Sequence, residues 1–241
     1  MCVFKRDLKV KYLDVNSKSQ LTSKGFIKYL QDVANEHSDE IGYGFKNITQ
    51  TNLSWILLNW KVQILKRPTV SDNIHIITWA RVISRAISYR DFEVYDSNNN
   101  LICIASSKWA LTNYSTHSLE RISPEMRNAY GVLEKKVFDV DINEKIKEPE
   151  NSFFVYEYTI QRRDIDTNNH VNNLCYLDFA YEALPDDVYY NLNSSTTEII
   201  YKKEIKYKDK IKCFYSNTNG KHIVTIKNDD LSIVHSIVSF Y

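Results

Sequence analysis

Glycine and proline are scarce in this chain: its 241 residues include only five glycines and four prolines. The sequence contains no G-x-G-x-x-G segment, no Walker A loop and no G-x-S-x-G nucleophile elbow. Each of these sites needs glycine where the backbone approaches a phosphate or turns sharply. Dinucleotide-binding, P-loop and classical serine hydrolase functions are therefore excluded.

The chain also has no closely spaced cysteine pair, almost no net charge and no long apolar run. The four cysteines are far apart with no C-x-x-C, which predicts reduced thiols rather than a zinc site or a disulfide framework. The formal net charge of +1 lacks the overall basic field typical of nucleic-acid binding. No apolar run approaches the roughly 18 residues that span a bilayer, and the first residues lack the apolar segment of a signal peptide. We therefore expect a cytoplasmic protein with no membrane and no nucleic-acid partner.

Aromatic residues are abundant, at 13% of the chain, and most lie in β-branched runs that favour strands. Apolar residues at helical spacing predict a helix over 21–41, capped by Thr22 or Ser23. Four later runs have the composition of strands, at residues 55–65, 74–82, 88–95 and 101–112. We expect an antiparallel meander that wraps around the helix.

A helix followed by strands is predicted a second time. The second set comprises a strand at 153–162, a helix at 172–184 stopped by Pro185, and strands at 197–215, 221–227 and 231–241. Residues 66–76 resemble 203–213 at an offset of 137, and residues 14–18 resemble 166–170 at an offset of 152. The sequence therefore predicts two repeats, 1–129 and 153–241, joined by a linker at 130–152. Of the two matched segments 14–18 and 166–170, only the second contains histidine, so we expect one active centre, in residues 150–241.

The densest polar cluster is residues 162–173, immediately before the second predicted helix. Carboxylate, amide and imidazole groups next to the free N–H groups of a helix N-terminus can activate water at a carbonyl and stabilise the oxyanion. The alternative is a polar loop in which Asn172 or Asn173 caps the helix and His170 is merely exposed.

Residues 164–176 read D-I-D-T-N-N-H-V-N-N-L-C-Y, which resembles the D-L-D-x-N-x-H-V-N-N-x-x-Y signature of the acyl-acyl carrier protein thioesterases. Shorter segments resemble that family at residues 29–34, 55–57, 78–79, 89–92 and 107–109. The resemblance implies an α+β double hotdog fold, in which two tandem repeats each wrap an antiparallel β-sheet around a central helix. It also implies hydrolysis of the thioester of fatty acyl-acyl carrier protein, which terminates fatty acid synthesis, without a cofactor or a metal.

The resemblance assigns the catalytic positions to Asp166, Asn168, His170 and Glu204. Ile205 stands where plant members have a cysteine, so we expect direct attack by water rather than an acyl-cysteine intermediate. Glu204 would orient or deprotonate the water, and His170 would transfer its proton. Asn168 would hold water or substrate, Asp166 would position the loop, and a backbone N–H at the second helix would contact the oxyanion.

Two features near Glu204 have alternative interpretations. Alternation over 205–213 puts Glu204 on the same face as four lysines, so it is either a surface acid or lies at a bulge or strand junction. The lysines either steer an acidic carrier protein or are solvated strand charges.

The implied partner is acyl carrier protein with its phosphopantetheine-linked acyl chain. An acyl-coenzyme A thioesterase and a non-catalytic acyl-thioester-binding hotdog protein are the alternatives on the same fold. Since two repeats in one chain can bury their helices internally, formation of a homodimer is optional.

Overall fold

A computed structural model of the chain describes residues 3–140, 142, 146–192 and 194–241, with the backbone alone at 82 and 83. The chain divides into two compact units, Met1–Ile142 (unit 1) and Asn143–Tyr241 (unit 2). Each unit packs a helix against an antiparallel sheet, so the predicted α+β hotdog class is confirmed. No helix within these ranges is long and apolar enough to cross a membrane.

Unit 1 contains the first predicted helix and meander. Its described elements, in chain order, are β1 (Phe4–Lys9), α1 (Ser23–Glu40), α2 (Ile48–Thr51), β2 (Leu53–Ile64), β3 (Asn73–Ser84), β4 (Ile87–Asp96), β5 (Leu101–Asn113) and α3 (Pro124–Tyr130). The strands pair antiparallel in the order β1-β3-β4-β5-β2. The predictions of α1 and of β2 to β5 are confirmed to within two residues at each end. β1 and the two short helices are additional elements.

Helix α1 is held by a cap and by its buried stripe. The Thr22 hydroxyl accepts the N–H of Gly25 at 2.9 Å, which satisfies one of the free donors of the first turn. Phe26 and Leu30 are almost completely buried, and burial of each such side chain contributes roughly 1.5–3 kcal/mol. The helix ends just before Gly42, whose φ of +84° is a conformation that glycine adopts without strain.

The first part of the predicted linker packs against the sheet of unit 1. The carbonyl of Lys135 accepts the indole N–H of Trp79 at 2.9 Å, and the N–H of Val137 donates to Asp91 at 3.1 Å. Residues 141 and 143–145 of this segment lie outside the described residues. Residues 135–137 therefore pack on the sheet of unit 1, whereas Glu148, later in the predicted linker, pairs with Lys227 of unit 2.

Unit 2 repeats the topology of unit 1. Its described elements are β6 (Phe153–Thr159), α4 (Cys175–Glu182), α5 (Asp186–Asn191), β7 (Thr196–Tyr201), β8 (Lys210–Thr218), β9 (Lys221–Asn228) and β10 (Val234–Phe240). The strands pair in the order β6-β8-β9-β10-β7, which is the order of unit 1 with each strand replaced by its counterpart.

Two predictions in unit 2 are wrong. The predicted strand 197–215 is two strands, β7 and β8, separated by the loop 202–209. The predicted helix 172–184 begins only at Cys175. It ends at Glu182, before Pro185 as predicted, and Pro185 is the N-cap residue of a further helix, α5. Proline fits the start of a helix because its fixed φ suits the first turn and its missing N–H has no intrahelical partner.

Hydrogen bonds decide the correspondence between the repeats. The offset of 137 is confirmed: the carbonyls of Asp72 and Asp209 each accept an N–H from the segment after β1 or β6, at 2.9 Å. The offset of 152 is wrong, because Asp14 corresponds to Asp164 and the offset there is 150. The carbonyl of Asp14 accepts the N–H of Thr22 at 3.0 Å, and the carbonyl of Asp164 accepts the N–H of Asn172, also eight residues later, at 2.8 Å. We call residues 14–22 the unit 1 loop and residues 164–172 the unit 2 loop.

Candidate active site

Asp166 organises the unit 2 loop. Its carboxylate accepts the N–H of Asn168 at 2.8 Å and the N–H of His170 at 3.4 Å, while its own N–H donates to the carbonyl of His170 at 2.8 Å. Asn169 has a φ of +61°, a left-handed conformation that asparagine tolerates better than most residues. This geometry fits the loop-positioning role predicted for Asp166.

The loop 202–209 runs beside the unit 2 loop. The N–H of Val171 donates to the carbonyl of Ile205 at 2.9 Å, and His170 forms a β-bridge with Lys206. Glu204 lies next to these contacts, on a strand junction where the alternation of a regular strand does not apply. Backbone pairing thus brings the segments carrying His170 and Glu204 together.

Glu204 is an ionised, half-exposed carboxylate. Its pKa lies below the ordinary value, chiefly because its own backbone N–H donates to it, with further lowering by the charges of Lys203 and His170. The ammonium of Lys203 lies 3.5 Å from its Oε1. A carboxylate in this state can orient a water molecule and accept a proton from it.

The other predicted hydrogen-bond donors are the side chain of Asn168 and a backbone N–H at the start of α4. Asn168 is exposed, and its side-chain amide has no hydrogen-bond partner among the described residues. At the start of α4, the N–H of Leu174 donates to the Asn172 side chain and the N–H of Cys175 to the Asn172 carbonyl, both at 2.9 Å. These two N–H groups are occupied, so an oxyanion contact at α4 would have to come from a different N–H.

Tyr176 is a member of this site to which the sequence assigned no role. It is buried, and its ring packs edge-on against Tyr201 at the end of β7. Burial raises its pKa, and the nearby carboxylates of Glu204 and Asp166 raise it further. Tyr176 is therefore a neutral, buried hydroxyl close to Glu204 and Asp166. Its place in the segment that resembles the thioesterase signature was the available signal.

Two of the described cysteines are buried, and the third, Cys175, lies in the signature segment but not at the position of the plant cysteine. Cys103, Cys175 and Cys213 form no disulfide bond, and Cys2 lies outside the described residues. Burial raises the pKa of Cys213 to about 12 and that of Cys103 further, so neither forms a thiolate near neutral pH. Ile205, at the position of the plant cysteine, is completely buried.

A polar cleft of about 770 Å³ borders Glu204. Its lining residues are Lys203, Glu204, Lys206, Asp209, Lys210, Lys212, Asn228, Asp229, Asp230, Ile233 and His235. Of the four predicted catalytic residues, Glu204 alone lines it. Lys212 pairs with Asp229 at 2.8 Å and Lys210 with Glu157 at 3.4 Å, so much of the lysine charge is locally neutralised. Within the described ranges, no group of His, Cys, Asp and Glu side chains could hold a metal ion.

Comparison with known proteins identifies relatives of both units. The family profile of the acyl-ACP thioesterase N-terminal domain matches residues 1–130, and that of the C-terminal domain matches residues 146–239. The chain is 26% identical over 222 residues to the chloroplastic oleoyl-acyl carrier protein thioesterase of Coriandrum sativum, covering 86% of this chain and 60% of the relative. It spans less than two thirds of the length of the first curated relatives it matches.

Two solved structures have the same fold. The acyl-ACP thioesterase of Bacteroides thetaiotaomicron superposes with a TM-score of 0.88 at 21% identity, over 99% of this chain and 96% of that one. The 12:0-ACP thioesterase of Umbellularia californica superposes with a TM-score of 0.86 at 19% identity, over 100% of this chain and 96% of that one.

Proposed function

This chain belongs to the acyl-ACP thioesterase family, and we propose that it hydrolyses the thioester of fatty acyl-acyl carrier protein. The products are a free fatty acid and the phosphopantetheine thiol of the carrier protein. The observation that carries the proposal is the hydrogen bond from Val171 to Ile205, which joins the segments bearing His170 and Glu204. A carboxylate and an imidazole on adjacent segments are the groups that activation of water needs.

In the proposed mechanism, water attacks the thioester carbonyl directly. Glu204 orients the water, and its proton passes to the carboxylate or to His170 as the new C–O bond forms. The tetrahedral intermediate then collapses, the C–S bond breaks, and the departing sulfur takes up the proton. The exposed amide of Asn168 is free to hold water or the thioester, and Asp166 keeps the loop closed.

The absence of a cysteine at position 205 supports direct hydrolysis. A buried isoleucine cannot form an acyl-enzyme bond, and burial suppresses ionisation of Cys103 and Cys213. We therefore expect single-turnover reactions to accumulate no covalent acyl-protein. Mass spectrometry of the quenched reaction checks this outcome.

Free-fatty-acid release from a panel of acyl-acyl carrier proteins and the matching acyl-coenzyme A esters tests the function. The wild type is compared with His170→Ala and with a matched control, Gln20→Ala, which alters the equivalent position of the unit 1 loop. Because His170 closes its loop through backbone groups, the alanine variant is expected to fold, which thermal unfolding checks.

We expect turnover that prefers the carrier protein, a loss of about 10²–10⁴-fold in His170→Ala, and no change in Gln20→Ala. Preference for coenzyme A esters would instead identify an acyl-coenzyme A thioesterase. Tight binding without turnover would identify an acyl-binding protein and contradict the catalytic roles. Cytoplasmic location and homodimer formation stay predictions, and light scattering measures the second.

A further inference from the structure

We infer that His235 is a positioning residue that holds the backbone at Glu204 for hydrolysis. The inference rests on the catalytic role proposed for Glu204. His235 belongs to β10, is 4% exposed, and borders the same cleft as Glu204.

His235 binds the backbone immediately before Glu204. Strand β7 ends at Tyr201, and the N–H groups of Lys202 and Lys203 both donate to the carbonyl of His235, at 2.8 and 3.2 Å. The register of β10 against β9 shifts at this point, so His235 is the extra residue of a β-bulge. Bulges commonly occur next to active sites, where they redirect a side chain.

The imidazole of His235 forms a third hydrogen bond to this backbone segment, at Lys203. Its Nδ1 lies 3.1 Å from the carbonyl oxygen of Lys203. Since a carbonyl oxygen only accepts, we assign the hydrogen to Nδ1. Both backbone groups of Lys203, its N–H and its C=O, are therefore bound to His235. The peptide unit that leads into Glu204 cannot rotate without breaking one of these bonds.

The backbone matters here because little else positions Glu204. Its carboxylate is half-exposed and interacts with its own N–H and with Lys203, whose ammonium is also exposed. On the other side, Ile205 is fixed by its buried side chain and by the N–H of Val171. Glu204 is thus held between two backbone anchors, and His235 forms the first.

Unit 1 shows that the bulge itself does not require histidine. There the N–H groups of Leu65 and Lys66 donate to the carbonyl of Ile102 at 2.9 and 3.1 Å, and β5 has the equivalent shift of register. Ile102 is equally buried but has no side-chain donor. The residue after Lys66 is Arg67, the counterpart of Glu204. The histidine therefore occurs in the unit that carries the proposed catalytic carboxylate.

The test uses the residue that unit 1 already tolerates. His235→Ile keeps an apolar side chain on the bulge and removes the Nδ1 donor. His235→Asn places an amide N–H near the position of Nδ1 and serves as the conservative rescue. We expect kcat on acyl-acyl carrier protein to fall about 10- to 100-fold in His235→Ile, with KM within twofold of wild type. In His235→Asn we expect at least a third of the wild-type kcat, and circular dichroism should show both variants folded.

A double-mutant cycle with Glu204→Gln separates positioning from packing. If His235 acts through Glu204, His235→Ile has little further effect in the Glu204→Gln background. An undiminished effect in that background, or a wild-type kcat in His235→Ile, overturns the inference while leaving the proposed function intact. A wild-type kcat in Glu204→Gln removes the proposed role of Glu204 and the inference with it.

The inference can still be tested if His235→Ile does not fold. If His235→Ile is unfolded, His235→Gln replaces it, since its longer side chain keeps polarity but moves the donor away from the Lys203 carbonyl. Nitrogen-15 NMR of the wild type tests the assigned tautomer independently. A hydrogen on Nε2 alone would contradict the bond to Lys203 and overturn the inference.

Discussion

The unit 1 and unit 2 loops have the same backbone and different chemistry. Asn16 donates its N–H to the carbonyl of Gln20 at 2.8 Å, and Asp166 donates to His170 at the same distance. In both loops the side-chain oxygen of this residue, Asn16 or Asp166, accepts the N–H two residues later, at 2.9 and 2.8 Å. The shared geometry is therefore maintained by an acceptor at one position, which asparagine and aspartate supply equally.

The side chains carried by this backbone differ at every proposed catalytic position. Where unit 2 has Asp166, Asn168, His170 and Glu204, unit 1 has Asn16, Lys18, Gln20 and Arg67. Imidazole and carboxylate exchange protons near neutral pH, whereas amide and guanidinium groups do not. The comparison teaches that duplication preserved the scaffold and that the side chains alone decide which copy is suited to activate water.

The largest effect on kcat should come from replacing Glu204 with glutamine, compared with the same replacement at its unit 1 counterpart, Arg67. Glu204→Gln removes the proposed proton acceptor, so we expect kcat to fall by about 10²-fold or more. Arg67→Gln should leave kcat unchanged but lower stability, because the guanidinium donates to the carbonyl of Leu21 at 2.8 Å. Steady-state kinetics and thermal unfolding of both variants measure the two effects. Equal losses of kcat would contradict a single active centre in unit 2.

An effect of intermediate size, on the pH dependence of stability, should come from a histidine that α1 carries and α4 lacks. Helix α1 has 18 residues and carries buried His37, whereas α4 has eight and ends before an equivalent position. Burial and the adjacent Arg90 guanidinium, 2.9 Å away, lower the pKa of His37 to about 3. Between pH 3 and its unfolded value of about 6.5, the unfolded state binds more protons.

The free energy of unfolding should therefore decrease as the pH is lowered through this window, by up to about 1.4 kcal/mol per pH unit from this group. In the wild type this group should make the free energy of unfolding about 2 kcal/mol higher at pH 7 than at pH 5, and His37→Gln should remove that contribution. Urea titrations at the two pH values measure it. His117→Asn, at an exposed position, is the control. An unchanged slope in His37→Gln would show that other groups dominate acid unfolding.

The smallest effect should come from giving unit 2 the unit 1 residue at Asp166. Asn16 already closes the unit 1 loop, so Asp166→Asn should retain the fold and lose less than about tenfold in kcat if Asp166 only positions the loop. Asp166→Ala loses the acceptor for two N–H groups and should lose more, about 10²-fold. A large loss in Asp166→Asn would assign a role to the negative charge itself.

Local patterns predicted most of the elements but few of the exact junctions. The spacing of Phe26, Leu30 and Val33 identified α1, because burial of one helical face is a local property of the sequence. β1 escaped prediction because its residues are mostly charged and only Phe4 is buried. The end of β7 also escaped the predicted strand 197–215, since the N–H groups of Lys202 and Lys203 both turn to one carbonyl, that of His235 on β10.

The residues of the candidate site also fall into two groups, those that the motif indicated and those that only the structure revealed. The motif resemblance identified Asp166, Asn168 and His170 together, because they are neighbours in sequence. It also pointed to Glu204, for which the alternating lysines gave an opposing interpretation as a surface acid. The structure places Glu204 at a strand junction and leaves it half-exposed beside Lys203, so its catalytic role stays a proposal. Tyr176 lies at the end of the signature segment but was assigned no role, and its proximity to Glu204 depends on the fold. His235 reaches the site from β10, and its bond to Lys203 has no local signature.

The sequence by itself determined the two repeats, the residue types able to exchange protons, and the lack of glycine-dependent sites. The tertiary structure decided which residues meet. The bonds from Val171 to Ile205 and from Lys203 to His235 join backbone groups that are distant in sequence. Backbone N–H and C=O groups are chemically alike at every position, so only the folded arrangement of strands and loops selects the pairs that form.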